Sequence, residues 1–236
     1  MTNNELYKML RQSFKDIIDD HRIREKIISF VVEGDPLPAG SELTLTAEYQ
    51  GAIGECSTSF VESNESFIKT LSEIMELDIE NNPRERSIYV AAVNAVMNRY
   101  KLADDCVACT EGDKSKCAED IVRHYKKSNG NVNVLLIGYH LHIHKALAAN
   151  FPLRTLDLNP DNIGKTYFGV TIEHGKDDFA DAVKWADVIL CTGACISNGT
   201  LVDYINLPKD VMFYGTTIAG AARVLDLRRL CPYSRN

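Results

Sequence analysis

Hydrophobic positions along this chain follow two regimes. In the first hundred residues the period changes from segment to segment. Leu6, Met9, Leu10, Phe14, Ile17 and Ile18 recur at helical spacing and predict an amphipathic helix over Glu5–Asp20. Ile27–Val32 is a short β-rich run that ends at the breaker cluster Gly34-Asp35-Pro36. Leu43, Leu45 and Ala47 alternate with Thr44, Thr46 and Glu48, the signature of a half-buried strand. Gly51–Ser59 reads as a further strand or a glycine-bearing loop, and Ser66–Met75 as helix. Asn82-Pro83 opens a helix with a capping residue and a first-turn proline, and Ile88, Ala91, Ala92, Ala95 and Val96 form its apolar face. Strands followed by helices predict a small α+β unit.

From Val132 onward strand and helix alternate. Apolar runs at Val132–Ile137, Leu153–Leu158, Val188–Leu190 and Val211–Tyr214 are strands, with helices over Leu141–Asn150, Lys176–Trp185 and Thr200–Ile205 between them. Repeated β–α units imply a parallel sheet with right-handed crossovers. Lys101–Lys116 is polar and aperiodic, and a helix resumes over Cys117–Lys127, with Gly130 to end it. The fold class is therefore α/β: an α+β domain over residues 1–105, then a Rossmann-like parallel-sheet domain over 106–236.

Composition narrows the function. The chain has 236 residues, 45% hydrophobic and 25% charged, with a net charge of -7 and no basic block. Duplex nucleic acid and anionic membrane are poor partners for such a surface. No apolar run approaches the ~20 residues that span a bilayer, and the first residues carry no basic-then-apolar signal pattern. A cytoplasmic protein is expected. Seven cysteines then read as thiols or metal ligands rather than as a disulfide framework.

Candidate chemistry concentrates in three places. Cys106-Val-Ala-Cys109, followed by Cys117, offers three thiolates to a zinc ion or an iron–sulfur cluster, with Cys56, Cys191, Cys195, Cys231 or a histidine to complete the set. A redox pair is the alternative use of the Cys-x-x-Cys spacing. His140, His142 and His144 follow the first strand of the β–α half, at the sheet edge where ligands bind. The third place is Ala186–Thr200, a strand, a small-residue turn at Thr192-Gly193-Ala194 and a new helix start. There Asn198 is expected to cap the helix beginning at Leu201, with free N–H groups for an anion. Gly138 stands where a dinucleotide fold places its glycine-rich turn, but G-x-G-x-x-G is absent, which argues against ordinary NAD binding. Asp157, about twenty residues on, either binds a ribose hydroxyl or caps the turn at Asn159-Pro160. Gly51-Ala-Ile-Gly54-Glu55-Cys56 marks backbone closely approached by something. Asn94, inside an apolar helix, must be hydrogen-bonded; it either fixes the packing between domains, the favoured reading, or touches a ligand. Serine-hydrolase, Walker and zincin motifs are missing.

Val134-Leu-Leu-Ile-Gly138, Leu156-Asp-Leu-Asn-Pro160, Ala186-Asp-Val-Ile-Leu190, Thr192-Gly-Ala194, Asn198-Gly-Thr-Leu201 and Phe213-Tyr-Gly-Thr-Thr217 together resemble the heavy-metal chelation family, long carried as a domain of unknown function. The first hundred residues resemble the enolase-like N-terminal domain that often precedes it. Ser87-Ile-Tyr-Val-Ala-Ala-Val-Asn94-Ala matches the alanine-rich helix of that domain. The resemblance implies a ligand site between the domains, lined by Gly138, Asp157, Thr192, Gly193, Asn198, Gly199 and Thr200, and a role in handling a metal or a metal-bearing or pterin-like cofactor. It supplies no catalytic residues, and the cysteine cluster is not a general mark of the family.

The leading expectation is thus a protein that binds a metal ion, iron–sulfur cluster or metal-containing small cofactor at the interdomain cleft. Cys106, Cys109 and Cys117 would be the thiolate ligands, and the histidine loop with His140 and the Asn198-Gly199-Thr200 turn would grip the ligand. The odd cysteine count also permits a cluster shared between the chains of a homodimer. One alternative is an enzyme using a nucleotide-type cofactor such as S-adenosylmethionine at Gly138 and Asp157. Another is a small-molecule carrier or sensor with a structural zinc.

Overall fold

The computed structural model describes residues 1–32, 42–128 and 130–236. The expected breaker at Gly34-Asp35-Pro36 lies outside the described residues. The chain opens with helix α1 (Asn3–Asp20), started by a reciprocal capping box in which Thr2 and Glu5 satisfy each other's backbone N–H groups. Strands β1 (Ile27–Val32), β2 (Leu43–Tyr49), β3 (Ala52–Thr58) and β4 (Glu65–Thr70) follow, then a short helix α2 (Leu71–Met75) and the long helix α3 (Pro83–Arg99). The four strands form an antiparallel sheet in the order β3-β2-β1-β4. Strand alternation puts Ile28, Phe30 and Val32 of β1 and Leu45, Ala47 and Tyr49 of β2 on the buried face.

Residues 66–75 correct the sequence reading. Their first half is strand β4, paired with β1 through Phe30↔Phe67, and only Leu71–Met75 is helical. The stacked rings of Phe30 and Phe67, 4.8 Å apart, tie the strand down. The helix starts where a capping box, Thr70 with Glu73, satisfies its first N–H groups.

Helix α3 organises the molecule. Asn82 caps it by accepting from the N–H groups of Arg84 and Glu85, and Pro83 occupies the first turn. Every residue from Arg86 to Met97 is buried. A helix apolar on all sides must be packed on all sides, and α3 lies between the antiparallel sheet and the second half of the chain. On the sheet side β3 approaches so closely that a Cβ on Gly54 would lie 2.1 Å from the Ala95 nitrogen and 2.6 Å from the Ala91 carbonyl oxygen. The close neighbour expected for the Gly51–Gly54 stretch is therefore a helix backbone.

The second half comprises α4 (Lys114–Ser128), β5 (Val134–Ile137), α5 (Leu141–Ala148), β6 (Leu153–Asp157), β7 (Thr166–Tyr167), β8 (Val170–His174), α6 (Phe179–Trp185), β9 (Val188–Thr192), α7 (Cys195–Asn198), α8 (Leu201–Ile205), β10 (Asp210–Tyr214) and α9 (Ala219–Val224). Its sheet order is β10-β9-β5-β6-β8-β7, parallel except for the edge strand β7. Setting β7 aside, the five parallel strands follow the order 3-2-1-4-5 of a Rossmann-like sheet. That order reverses between β5 and β9, the place where such sheets bind ligands. β7 and β8 were not foreseen in the sequence. One buried hydrophobic cluster runs through both halves, from Leu6 to Ala222. No helix among the described residues is long and apolar enough to cross a membrane.

Candidate functional site

A cavity of about 700 Å³ opens at the carboxyl edge of the parallel sheet, between the two halves. Its floor is built from strand ends: Gly138 after β5, Asp157 at the end of β6, Thr192 and Gly193 at the end of β9, and Tyr214 and Gly215 at the end of β10. Glu55 and Ser57 of β3, with Glu42 and Thr44, form the opposite side. Seven of the eight expected ligand-binding positions line the cavity: Gly138, His140, Asp157, Thr192, Gly193, Asn198 and Thr200. Gly199 does not. It ends α7 against the Arg86 guanidinium, 2.8 Å from where its Cβ would sit.

Several of these residues earn their place through packing. Gly138 has φ +83, and a Cβ there would meet Thr192 at 2.7 Å. The neighbouring strand, rather than a ligand, explains this glycine. The Tyr214 hydroxyl donates to the Gly138 carbonyl at 2.9 Å. Asp157 accepts from the Tyr139 N–H at 3.1 Å, the Asn159 N–H at 2.9 Å and the Asn162 amide at 2.8 Å. Its carboxylate thus organises the loops around it, including the Asn159 turn foreseen as the alternative to ribose binding. Asn198 ends α7 and does not cap the next helix; Thr200 occupies that position, without a side-chain cap. The intervening Gly199 adopts φ +78 and terminates the single turn of α7, which displaces the cap by two residues.

The three histidines separate. His144 is fully buried, its Nδ1 paired with the Thr155 hydroxyl and its Nε2 with the Tyr167 carbonyl, each at 3.0 Å. His142 bonds Ser115 and Glu111. His140 caps α5, its Nδ1 accepting from the Ile143 N–H at 3.4 Å, and it lines the cavity. That bond places its proton on Nε2. Burial first, then the neighbouring Lys114 and His142, lower its pKa to about 4. The imidazole is neutral near pH 7. Across the cavity, burial raises the carboxyl group of Glu55 above its ordinary value. Glu42 accepts from the Ser57 hydroxyl and Glu55 from the Ala108 N–H.

The thiols regroup. Cys109, Cys117 and Cys231 line the same cavity, whereas Cys106 does not. Cys106 is fully buried, with its Sγ toward the carbonyls of Ala103 and Asp104 at 4.0 and 3.8 Å. Cys231 reaches the wall because the segment after it pairs with the Cys106–Cys109 loop. Val107 and Arg235 exchange both backbone hydrogen bonds at 2.8 Å, and the Arg235 guanidinium donates to the Ala108 carbonyl. Leu230 and Tyr233 pack against the cluster that contains Cys117. Burial, followed by the nearby Cys231 and Cys109, pushes Cys117 up to about 12. Burial and Cys231 also raise Cys109. Cys56, Cys191 and Cys195 lie in the core, off the cavity.

The two halves are fastened beside this site. The Asn94 amide donates to the carbonyls of Glu55, Thr216 and Thr217, and its oxygen accepts from the Gly220 N–H. Asn94 is thus the interdomain packing residue that the sequence indicated. Buried Arg86 donates to the Ser197 carbonyl and the Tyr7 hydroxyl. No sequence pattern singled out that arginine.

No model of a known protein family matches the chain, and no curated protein matches it. Solved structures share the fold. One is a protein of unknown function from the DUF364 family of Pyrococcus horikoshii, 19% identical with a TM-score of 0.54, aligned over 90% of this chain and 79% of that one. Another is a DUF364 protein of unknown function from Desulfitobacterium hafniense DCB-2, 14% identical with a TM-score of 0.53, over 91% and 82%. At these identities the likeness establishes the α/β fold and says nothing of activity.

Proposed function

We propose that the protein holds a metal centre, an iron–sulfur cluster in particular, on the thiol wall of its interdomain cleft, beside a cavity that takes a small cofactor-sized ligand. The observation that carries this reading is the convergence of Cys109, Cys117 and Cys231 from three separate segments onto one cavity. Thiolates are the ligands of zinc and of iron–sulfur clusters. Among the described residues no three His, Cys, Asp or Glu side chains stand close enough to share a single ion. A cluster interposes several irons and sulfides between its thiolates, so it spans more widely than one zinc with Zn–S bonds of about 2.3 Å. Three thiols beside an open cavity suit a cluster, and zinc is the alternative that metal content distinguishes. The nucleotide-cofactor reading has less support, because the Asp157 carboxylate is already occupied by three donors.

Protein prepared without oxygen, or reconstituted with ferrous iron and sulfide, should contain iron and acid-labile sulfide in near-equal amounts and show a visible absorbance that bleaches on reduction. Cys109→Ser, Cys117→Ser and Cys231→Ser should each lose most of both. A colourless protein, or a cluster that persists in the triple variant, overturns the proposal. A single tightly held zinc would make the thiols structural.

A further inference from the structure

Resting on that reading, we infer that the cluster has only three protein ligands, Cys109, Cys117 and Cys231, and that one iron faces the cavity open to a small chelating ligand. The argument starts from the fourth thiol that the sequence offers. Cys106 shares a Cys-x-x-Cys spacing with Cys109, yet it is turned into the core. Its carbonyl accepts from the Glu55 N–H at 3.1 Å, and the next residue, Val107, is held by both backbone bonds to Arg235. The backbone on either side of Cys106 is thus held with its thiol in the core, and the fold presents Cys231, not Cys106, to the wall. The other three cysteines are buried away from the cavity.

The remaining donors on the wall already have hydrogen-bond partners. Asp157, Glu55 and Glu42 each accept hydrogen bonds that fix the surrounding backbone or side chains. His140 uses Nδ1 to cap its helix, so among the described residues its Nε2 and the second oxygens of Glu55 and Glu42 are the protein rivals for the fourth iron. The cavity, at about 700 Å³, falls in the size range of small-molecule sites and leaves room beside a cluster. Iron takes oxygen donors such as carboxylate and nitrogen donors such as imidazole. Lys176 adds a positive charge to the wall. The chemical class is a small anionic molecule with a carboxylate beside a hydroxyl or amine, bound as a chelate.

An iron without a protein thiolate is the one lost on oxidation. Ferricyanide takes one electron from the four-iron cluster, one ferrous ion leaves, and a three-iron cluster remains. The experiment oxidises the loaded protein anaerobically with ferricyanide and follows EPR with iron and sulfide content. It then restores the lost iron as ⁵⁷Fe with dithionite and adds citrate as the chelating probe. The expected result is loss of one iron per cluster with sulfide retained, appearance of the three-iron EPR signal, and return of label to a single site. The Mössbauer spectrum of that site should then shift with citrate. Cys106→Ser and Cys106→Ala should behave as the unmodified protein does. Retention of all iron through oxidation, with loss of the cluster in both Cys106 variants, overturns the inference and leaves the cluster reading standing. So does a label whose spectrum ignores citrate and changes in His140→Ala, since the histidine then holds the fourth place. Protein that carries no cluster at all defeats the underlying reading, and the inference with it.

Discussion

Replacing Gly54 with alanine tests the seating of β3 on α3, on which the geometry of the cleft depends. The added Cβ would stand 2.1 Å from the Ala95 nitrogen and 2.6 Å from the Ala91 oxygen, both backbone atoms in a buried helix. Neither can rotate away, so the strand must retreat by about 1 Å to regain van der Waals contact. Retreat breaks the Asn94 bond to the Glu55 carbonyl and the Asn98 bond to the Ile53 carbonyl, each 2.9 Å long. Overpacking costs about 1–3 kcal/mol, and a buried polar group left unpaired about 1–3 kcal/mol. A loss of roughly 4 kcal/mol follows, a large part of the ~5–15 kcal/mol typical of a folded protein. Gly51→Ala is the control. Gly51 has φ +81 with nothing within 4 Å of its Cβ position, so only the left-handed backbone is penalised, by about 1–2 kcal/mol. Urea unfolding of the two variants beside the parent protein gives the comparison. If Gly54→Ala loses no more than Gly51→Ala, the strand does not rest on α3 as described.

Two predictions concern pH. The His140 pKa is lowered from 6.5 to about 4 by burial, so the fold favours the neutral ring. Its contribution is present above pH 6.5 and is lost as pH falls toward 4; urea midpoints between pH 7 and 4 should decline less steeply for His140→Gln than for the parent. The thiols of Cys109 and Cys117 are raised, Cys117 to about 12, and metal binding must displace their protons. Apparent iron affinity should therefore climb as pH rises from 6 to 8.5, measured by competition with a chelator whose own titration is known. A flat profile would mean that the thiols are not the ligands.

Much of the fold was legible because burial writes long, repetitive patterns. The continuous apolar strands β5 and β9 and the Asn82-Pro83 start of α3 are of that kind. Edge strands write weaker ones. β4 has partly exposed faces and reads as helix unless the Thr70–Glu73 capping box is taken as the start. β7 is two residues long. At the site, the strand-end positions could be read from the topology alone, since ligands gather at carboxyl edges. The proposed thiol set could not. Cys231 was one of several candidate partners, and the Val107–Arg235 pairing that brings it to the wall joins segments more than a hundred residues apart. Local spacing favoured Cys106 instead, and only the tertiary pairing turns it inward.

That same pairing sets an order of events during synthesis. Cys109 and Cys117 leave the ribosome long before Cys231, with about 110 residues between them. At roughly 5–20 residues per second the interval is on the order of ten seconds. Throughout it the Cys109 loop and helix α4, which carries Cys117, stand without the Val107–Arg235 pairing. On the proposed reading the thiol wall is assembled only once residues 231–235 have paired with the Cys106–Cys109 loop, so a change that holds that segment away from the loop should weaken metal retention without unfolding the rest of the chain.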